Sequence, residues 1–292
     1  MLRLVLRSRR RLPIALRAAL AAGGACALAI PLAAVAAAPA GAATSVNATM
    51  VSATTVVNYV ALGDSYSSGL GAGSYISSSG SCNRSTVAYS ALWASANHPT
   101  SYVSAACSGA TTSSVMSGQL SALTSQTTLV SITVGGNDVG FESVMETCVL
   151  ESTSSCVSAV NTAESQANAI LPGNMDRVLS AISAAAPNAR VVVLGYPALY
   201  DLSRSSTCIG LSTTDRTVLN QAASLLNQVV QAAAARHGDV FGEVRGPFTG
   251  HQICDGGSSW MHSVNIFDIS ESYHPTAAGQ SGGYEPVFAA NA

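Results

Sequence analysis

Lysine is absent from all 292 residues, and charge of either sign is sparse, at 10% of the chain. A Walker A phosphate loop needs a lysine, so that class of nucleotide hydrolase is excluded. No Rossmann fingerprint follows any apolar run, which removes the dinucleotide-binding class as well. No C-x-x-C pair and no His/Cys spacing of the kind that holds zinc is present. Arginine is the only fixed cation, and six of the thirteen basic residues (Arg3, Arg7, Arg9, Arg10, Arg11 and Arg17) crowd the start of the chain. Past residue 42, seven arginines face fifteen acidic residues, a net charge of −8. Nucleic acid and anionic membrane surfaces both require clustered cations, and neither is expected as a partner.

What is present begins with an arginine-rich stretch, an Ala/Leu run to about Val35, and a tail of small residues ending Ala40-Gly41-Ala42. That order predicts a secretory signal peptide over 1–42 rather than a retained membrane anchor. A polar, aperiodic linker over 43–56 and a single domain over 57–292 follow, since about 250 residues suffice for one core. Once the leader is gone, no stable insertion into a membrane is expected, and the exported protein is expected to be a monomer. Cys26 goes with the leader, which leaves Cys82, Cys107, Cys148, Cys156, Cys208 and Cys254. An even number in an exported chain predicts disulfides, with the connectivity left open by the count alone.

Short apolar runs predict strands over 56–62, 102–106, 129–134, 190–194 and 240–244. Helical patterns cover 86–97, 172–186, 213–236 and the stretch from Thr276 onward. The Gly/Ser-rich 67–85 segment reads as loop, and the Ser/Thr-rich 142–170 segment as an excursion stapled by its two cysteines. Strands apolar throughout and alternating with helices predict a parallel sheet covered on both faces, with its site at the carboxyl ends of the strands.

Three motifs fall at such ends, and a fourth falls at a helix entrance facing the sheet edge. Gly63-Asp64-Ser65-Tyr66-Ser67-Ser68-Gly69 follows the first strand and can hold a serine hydroxyl outward while aiming backbone N–H groups at a substrate. Read alone it is also a polar turn. Gly109, in Cys107-Ser108-Gly109-Ala110-Thr111, can offer an unobstructed N–H to an oxyanion, or simply turn the chain. In Gly135-Gly136-Asn137-Asp138 the Asn137 amide can donate to developing negative charge. Asp138 is expected to brace the turn by accepting backbone N–H bonds. In Ser272-Tyr273-His274-Pro275-Thr276 the proline places His274 at the entrance of a helix. His98, His237, His251 and His262 have no comparable setting.

Together and in this order, the four motifs resemble the SGNH-hydrolase superfamily, the GDSL lipases and esterases, over roughly residues 58–285. The branch most similar is that of exported actinobacterial lipases. The resemblance implies a flavodoxin-like, three-layer α/β/α sandwich. It implies Ser65 as nucleophile and His274 as general base, and an oxyanion hole of Ser65, Gly109 and Asn137. No metal or organic cofactor is implied. It also implies disulfides between sequence neighbours: Cys82 with Cys107, Cys148 with Cys156, and Cys208 with Cys254. Many members carry an aspartate three residues before the histidine. Glu271 holds that place here, and its side chain or its own backbone carbonyl is expected to orient His274, since some relatives use a backbone carbonyl near that position. The implied activity is hydrolysis of carboxylic esters of acyl lipids outside the cell. The alternatives are a carbohydrate acetylesterase on the same fold and a non-catalytic exported binding module.

Overall fold

The computed structural model describes residues 56–204 and 207–292, so the expected leader, Cys26 and all of the linker but Val56 lie outside the described residues. Five strands form one sheet: β1 (Asn58–Gly63), β2 (Ser101–Ser104), β3 (Leu129–Thr133), β4 (Arg190–Leu194) and β5 (Val240–Gly242). Their order is β2-β1-β3-β4-β5 and every pair is parallel. Tyr59 of β1 lies opposite both Tyr102 and Leu129, and Gly63 ends level with Thr133. All five residues of β3 are buried, as is expected of a strand covered on both faces.

Among the described residues the helices run in order as α1 (Ser65–Ser68), α2 (Tyr89–Asn97), α3 (Thr112–Ser114), α4 (Phe141–Leu150), α5 (Thr153–Ala169), α6 (Leu171–Ala185), α7 (Thr213–His237), α8 (Arg245–Phe248) and α9 (Glu285–Ala289). Side chains alternate across a strand, so successive residues of β1 feed two separate packing layers. On one face Tyr59 stacks on Phe288 of α9 and meets Trp93 of α2 edge-on, at 5.1 and 5.3 Å between ring centres. On the other, α6 buries Leu171, Met175, Val178, Leu179 and Ile182, a helical stripe, and packs beside α5 and α7. Two helical layers around a parallel sheet make the α/β/α sandwich. No described helix is long and apolar enough to cross a membrane.

The segment over 142–170 departs from the expected excursion. It folds as α4 and α5, joined by the Cys148–Cys156 disulfide. Its Ser/Thr content hides a narrow inward stripe of Cys156, Val160, Ala163 and Ala167, and the Ser152 side chain caps α5 by accepting the Ser155 N–H. The closing helix also differs in detail. A wide turn over Gly279–Tyr284 precedes α9. A Cβ on Gly283 would stand 2.1 Å from the Phe248 ring, so only glycine lets this turn lie against α8.

Candidate active site

Gly63 closes β1 at φ +118°, and a Cβ there would sit 2.2 Å from the Thr133 carbonyl oxygen. Glycine is therefore required for β1 to turn tightly beside β3 and deliver Ser65 at the head of α1. The Gln119 side chain completes this strand end, accepting the Gly63 N–H at 2.7 Å and donating to its carbonyl at 2.8 Å. Asp64 caps α1. Its buried carboxylate accepts the Tyr66 N–H at 3.0 Å and hydroxyls from Thr133 at 2.6 Å and Tyr196 at 2.5 Å. Burial still raises its carboxyl to about 6, because desolvation outweighs those donors.

Ser65 and His274 stand 209 positions apart in sequence, yet Ser65 Oγ is 2.7 Å from His274 Nε2. His274 Nδ1 lies 2.9 Å from the Ser272 carbonyl oxygen. A carbonyl can only accept, so it fixes the proton on Nδ1 and leaves the Nε2 lone pair facing the serine hydroxyl. Burial pushes the imidazole down to about 4, with the Ser272 carbonyl pulling in the opposite direction. The ring is thus neutral at ordinary pH, the state a base needs. The chain reaches this position through Tyr273 at φ +62°, a left-handed conformation rare for a tyrosine. Three bonds hold it there: Tyr66 Oη donates to the Tyr273 carbonyl at 2.7 Å, the Tyr273 N–H donates to the His262 carbonyl at 3.1 Å, and the His262 N–H donates to the His274 carbonyl at 2.9 Å.

Glu271 requires correction. Its carboxylate accepts from the Tyr75 hydroxyl at 2.5 Å and from Asn265 Nδ2 at 3.2 Å, and makes no bond to the imidazole. Residues Ile269–Glu271 form a single 3-10 turn that carries this side chain toward Tyr75, and the Ser272 carbonyl fills the place beside Nδ1.

Gly109 lies in the loop after β2 at φ +76°, with open space where a Cβ would be. Among the described residues, neither its N–H nor that of Ser65 finds a protein acceptor. For Ser65 this is the ordinary orphan donor of a helix start. Asn137 follows β3 and spends one side-chain N–H on the Ala110 carbonyl at 3.0 Å, which leaves the second to donate elsewhere. Asp138 reaches further than its own turn. It accepts the Thr112 N–H at 2.9 Å, the Thr112 hydroxyl at 2.5 Å and Asn174 Nδ2 at 3.1 Å, bolting the Gly109 loop to the Asn137 turn. Beside it, the Cys82–Cys107 disulfide and the Ser108 N–H bond to the Cys82 carbonyl fix the other end of that loop. The third disulfide joins Cys208 to Cys254.

Ser65, Gly109, Asn137 and His274 all line one cleft of about 370 Å³. A second, narrower cavity of about 70 Å³ also touches Ser65 and Asn137, then runs between α5 and α7 past Val160, Ala163, Leu219 and Leu226. Its walls are almost wholly apolar. Asp64, Gln119, Tyr196 and Tyr66 support the site and were not singled out in the sequence. Of these only Asp64 had a readable signal, an N-cap residue directly before a helix start. The others act across large sequence separations.

Comparison with known proteins places this geometry. The profile of the GDSL-like Lipase/Acylhydrolase family matches residues 61–281. Lipase 1 of Streptomyces coelicolor is 61% identical over 230 residues, 79% of this chain and 85% of that protein. The crystal structure of phospholipase A1 from Streptomyces albidoflavus NA297 superposes with a TM-score of 0.79 at 55% identity, covering 81% of this chain and all of that one. The extracellular lipase of Streptomyces rimosus gives the same TM-score and coverage at 50% identity.

Proposed function

This chain belongs to the GDSL-like lipase/acylhydrolase family and is a carboxylic ester hydrolase, and from that premise we propose that it cleaves acyl lipids through a Ser65–His274 dyad. The carrying observation is the 2.7 Å contact between Ser65 Oγ and a neutral, carbonyl-oriented imidazole. His274 Nε2 takes the hydroxyl proton as Oγ bonds to the ester carbonyl carbon. Negative charge on the carbonyl oxygen is met by the N–H groups of Ser65 and Gly109 and by the free N–H of Asn137. Collapse of that intermediate expels the alcohol, which leaves with the proton held on Nε2, and the acyl group stays on Ser65. Water, deprotonated by the same nitrogen, then releases the acid and restores the hydroxyl. The Ser272 carbonyl holds the ring in place at each stage, so no side-chain carboxylate is needed.

The cavity beginning at Ser65 favours an acyl chain over an acetyl group, because beyond Ser65 and Asn137 it runs between mainly apolar side chains such as Val160, Ala163, Leu219 and Leu226. Export of the domain over 57–292 after removal of a leader at 1–42 agrees with the extracellular lipase from Streptomyces rimosus. Replacing Ser65 by alanine is expected to lower turnover of p-nitrophenyl esters by about 10⁴-fold or more, with melting unchanged. Retained turnover in that variant refutes the dyad. A chain-length series on the purified domain tests the substrate class, and a preference for acetate esters overturns the lipid assignment.

A further inference from the structure

The loop between Val264 and Ser272 holds large apolar side chains in water. Phe267 is 95% exposed, Ile266 80% and Ile269 69%. The loop is nonetheless hydrogen-bonded within itself. Asn265 Oδ1 accepts the N–H groups of Phe267 and Asp268 at 3.1 and 3.3 Å, and the Asn265 N–H donates to Ser272 Oγ at 2.9 Å. Glu271 braces the base of the loop through Asn265 and Tyr75. Exposure here is therefore imposed by the hydrogen bonding and is not the accident of a loose segment.

The patch continues into the site. Ile269 and Leu150, the latter 72% exposed, line the same cleft as Ser65 and His274. Ile209, 95% exposed, lines the adjoining hollow together with Val264. Apolar rims of this kind on an otherwise polar surface mark sites of association. The charged residues on the loop and beside Leu150 are acidic, Asp268 and Glu151, while near Ile209 the Arg216 guanidinium is buried against the Cys208 carbonyl and Arg204 faces Asp201. An anionic surface would be repelled, whereas the outward ammonium groups of a phosphatidylcholine layer complement these carboxylates.

We infer that Ile266 and Phe267 form an anchor that inserts into a zwitterionic lipid surface and presents the Ser65 cleft to it. This rests on the acyl-lipid reading above, but its test is separate. In the Ser65→Ala chain, partition onto phosphatidylcholine vesicles by flotation is expected to fall at least about tenfold on adding Ile266→Ser and Phe267→Ser, since two buried apolar side chains are lost. In the otherwise native chain the same pair of changes is expected to leave turnover of a soluble short-chain p-nitrophenyl ester within about twofold. Unchanged partition, partition that requires anionic lipid, or a patch whose loss instead abolishes self-association in sedimentation overturns the anchor. Ester turnover surviving Ser65→Ala would overturn the Ser65–His274 dyad while leaving the vesicle measurement intact.

Discussion

Burial strips water from the His274 imidazole and so lowers its affinity for a proton, to about 4. The base proposed here is active only when neutral. With soluble ester, kcat/KM is therefore expected to rise with pH through about 4 and to be level by about pH 6. A profile breaking near the ordinary 6.5 of a histidine would contradict the dry environment assigned to the ring. Stability follows the same sign for this group: its contribution is complete above the unfolded value of 6.5 and drains as pH falls toward 4. Asp64 runs the other way, because a carboxyl raised to about 6 from 3.8 contributes most below 3.8 and loses that contribution as pH rises through 6. The two oppose each other across the acid range, so the rate profile is the clean readout. Glu271 offers a second residue-level test. As its carboxylate faces Tyr75 and Asn265, Glu271→Gln is expected to change kcat on a soluble ester by no more than about threefold. Loss of an orienting carboxylate costs about 10⁴-fold in triad enzymes, and a fall of that size would restore Glu271 to the imidazole.

Helices α5 and α7 matter because of what passes between them. Ala163 of α5 and Ala222 of α7 both line the narrow cavity that begins at Ser65. Ala163→Phe is expected to fill it. Turnover of long-chain relative to acetate p-nitrophenyl esters should then drop about tenfold, with overpacking costing about 1–3 kcal/mol of stability. A chain-length profile that does not move would place the acyl group elsewhere. The strands over 190–194 and 129–133 were legible in the sequence because covered strands carry dense apolar runs, Val191 to Leu194 in β4 and Leu129, Val130 and Ile132 in β3. Helix α5 was not, because alanine, cysteine and one valine bury its stripe amid serine and threonine. The wide turn at Gly279–Tyr284 could not be foreseen, since the demand for glycine comes from the Phe248 ring and not from local chain chemistry.

Across the whole molecule, the residues named from the sequence meet where a side chain was the signal, and the contact that was not legible is one made by the backbone. Ser65, Gly109, Asn137 and His274 lie in four separate motifs, and the parallel sheet brings them to one cleft. The partner of His274 Nδ1 is a peptide oxygen, which every residue has and no letter reveals. Tyr196 reaches Asp64 across 132 positions and Gln119 reaches Gly63 across 56, contacts that exist only once the layers close. The meeting of Ser65 with His274 has one more consequence. Ser65 follows β1 and His274 comes just ahead of α9, which packs on Tyr59, so the hydroxyl is made long before the imidazole. A partly synthesised chain therefore has a hydroxyl with nothing to take its proton. On the proposed dyad, any truncated product lacking His274 is expected to be inert toward esters.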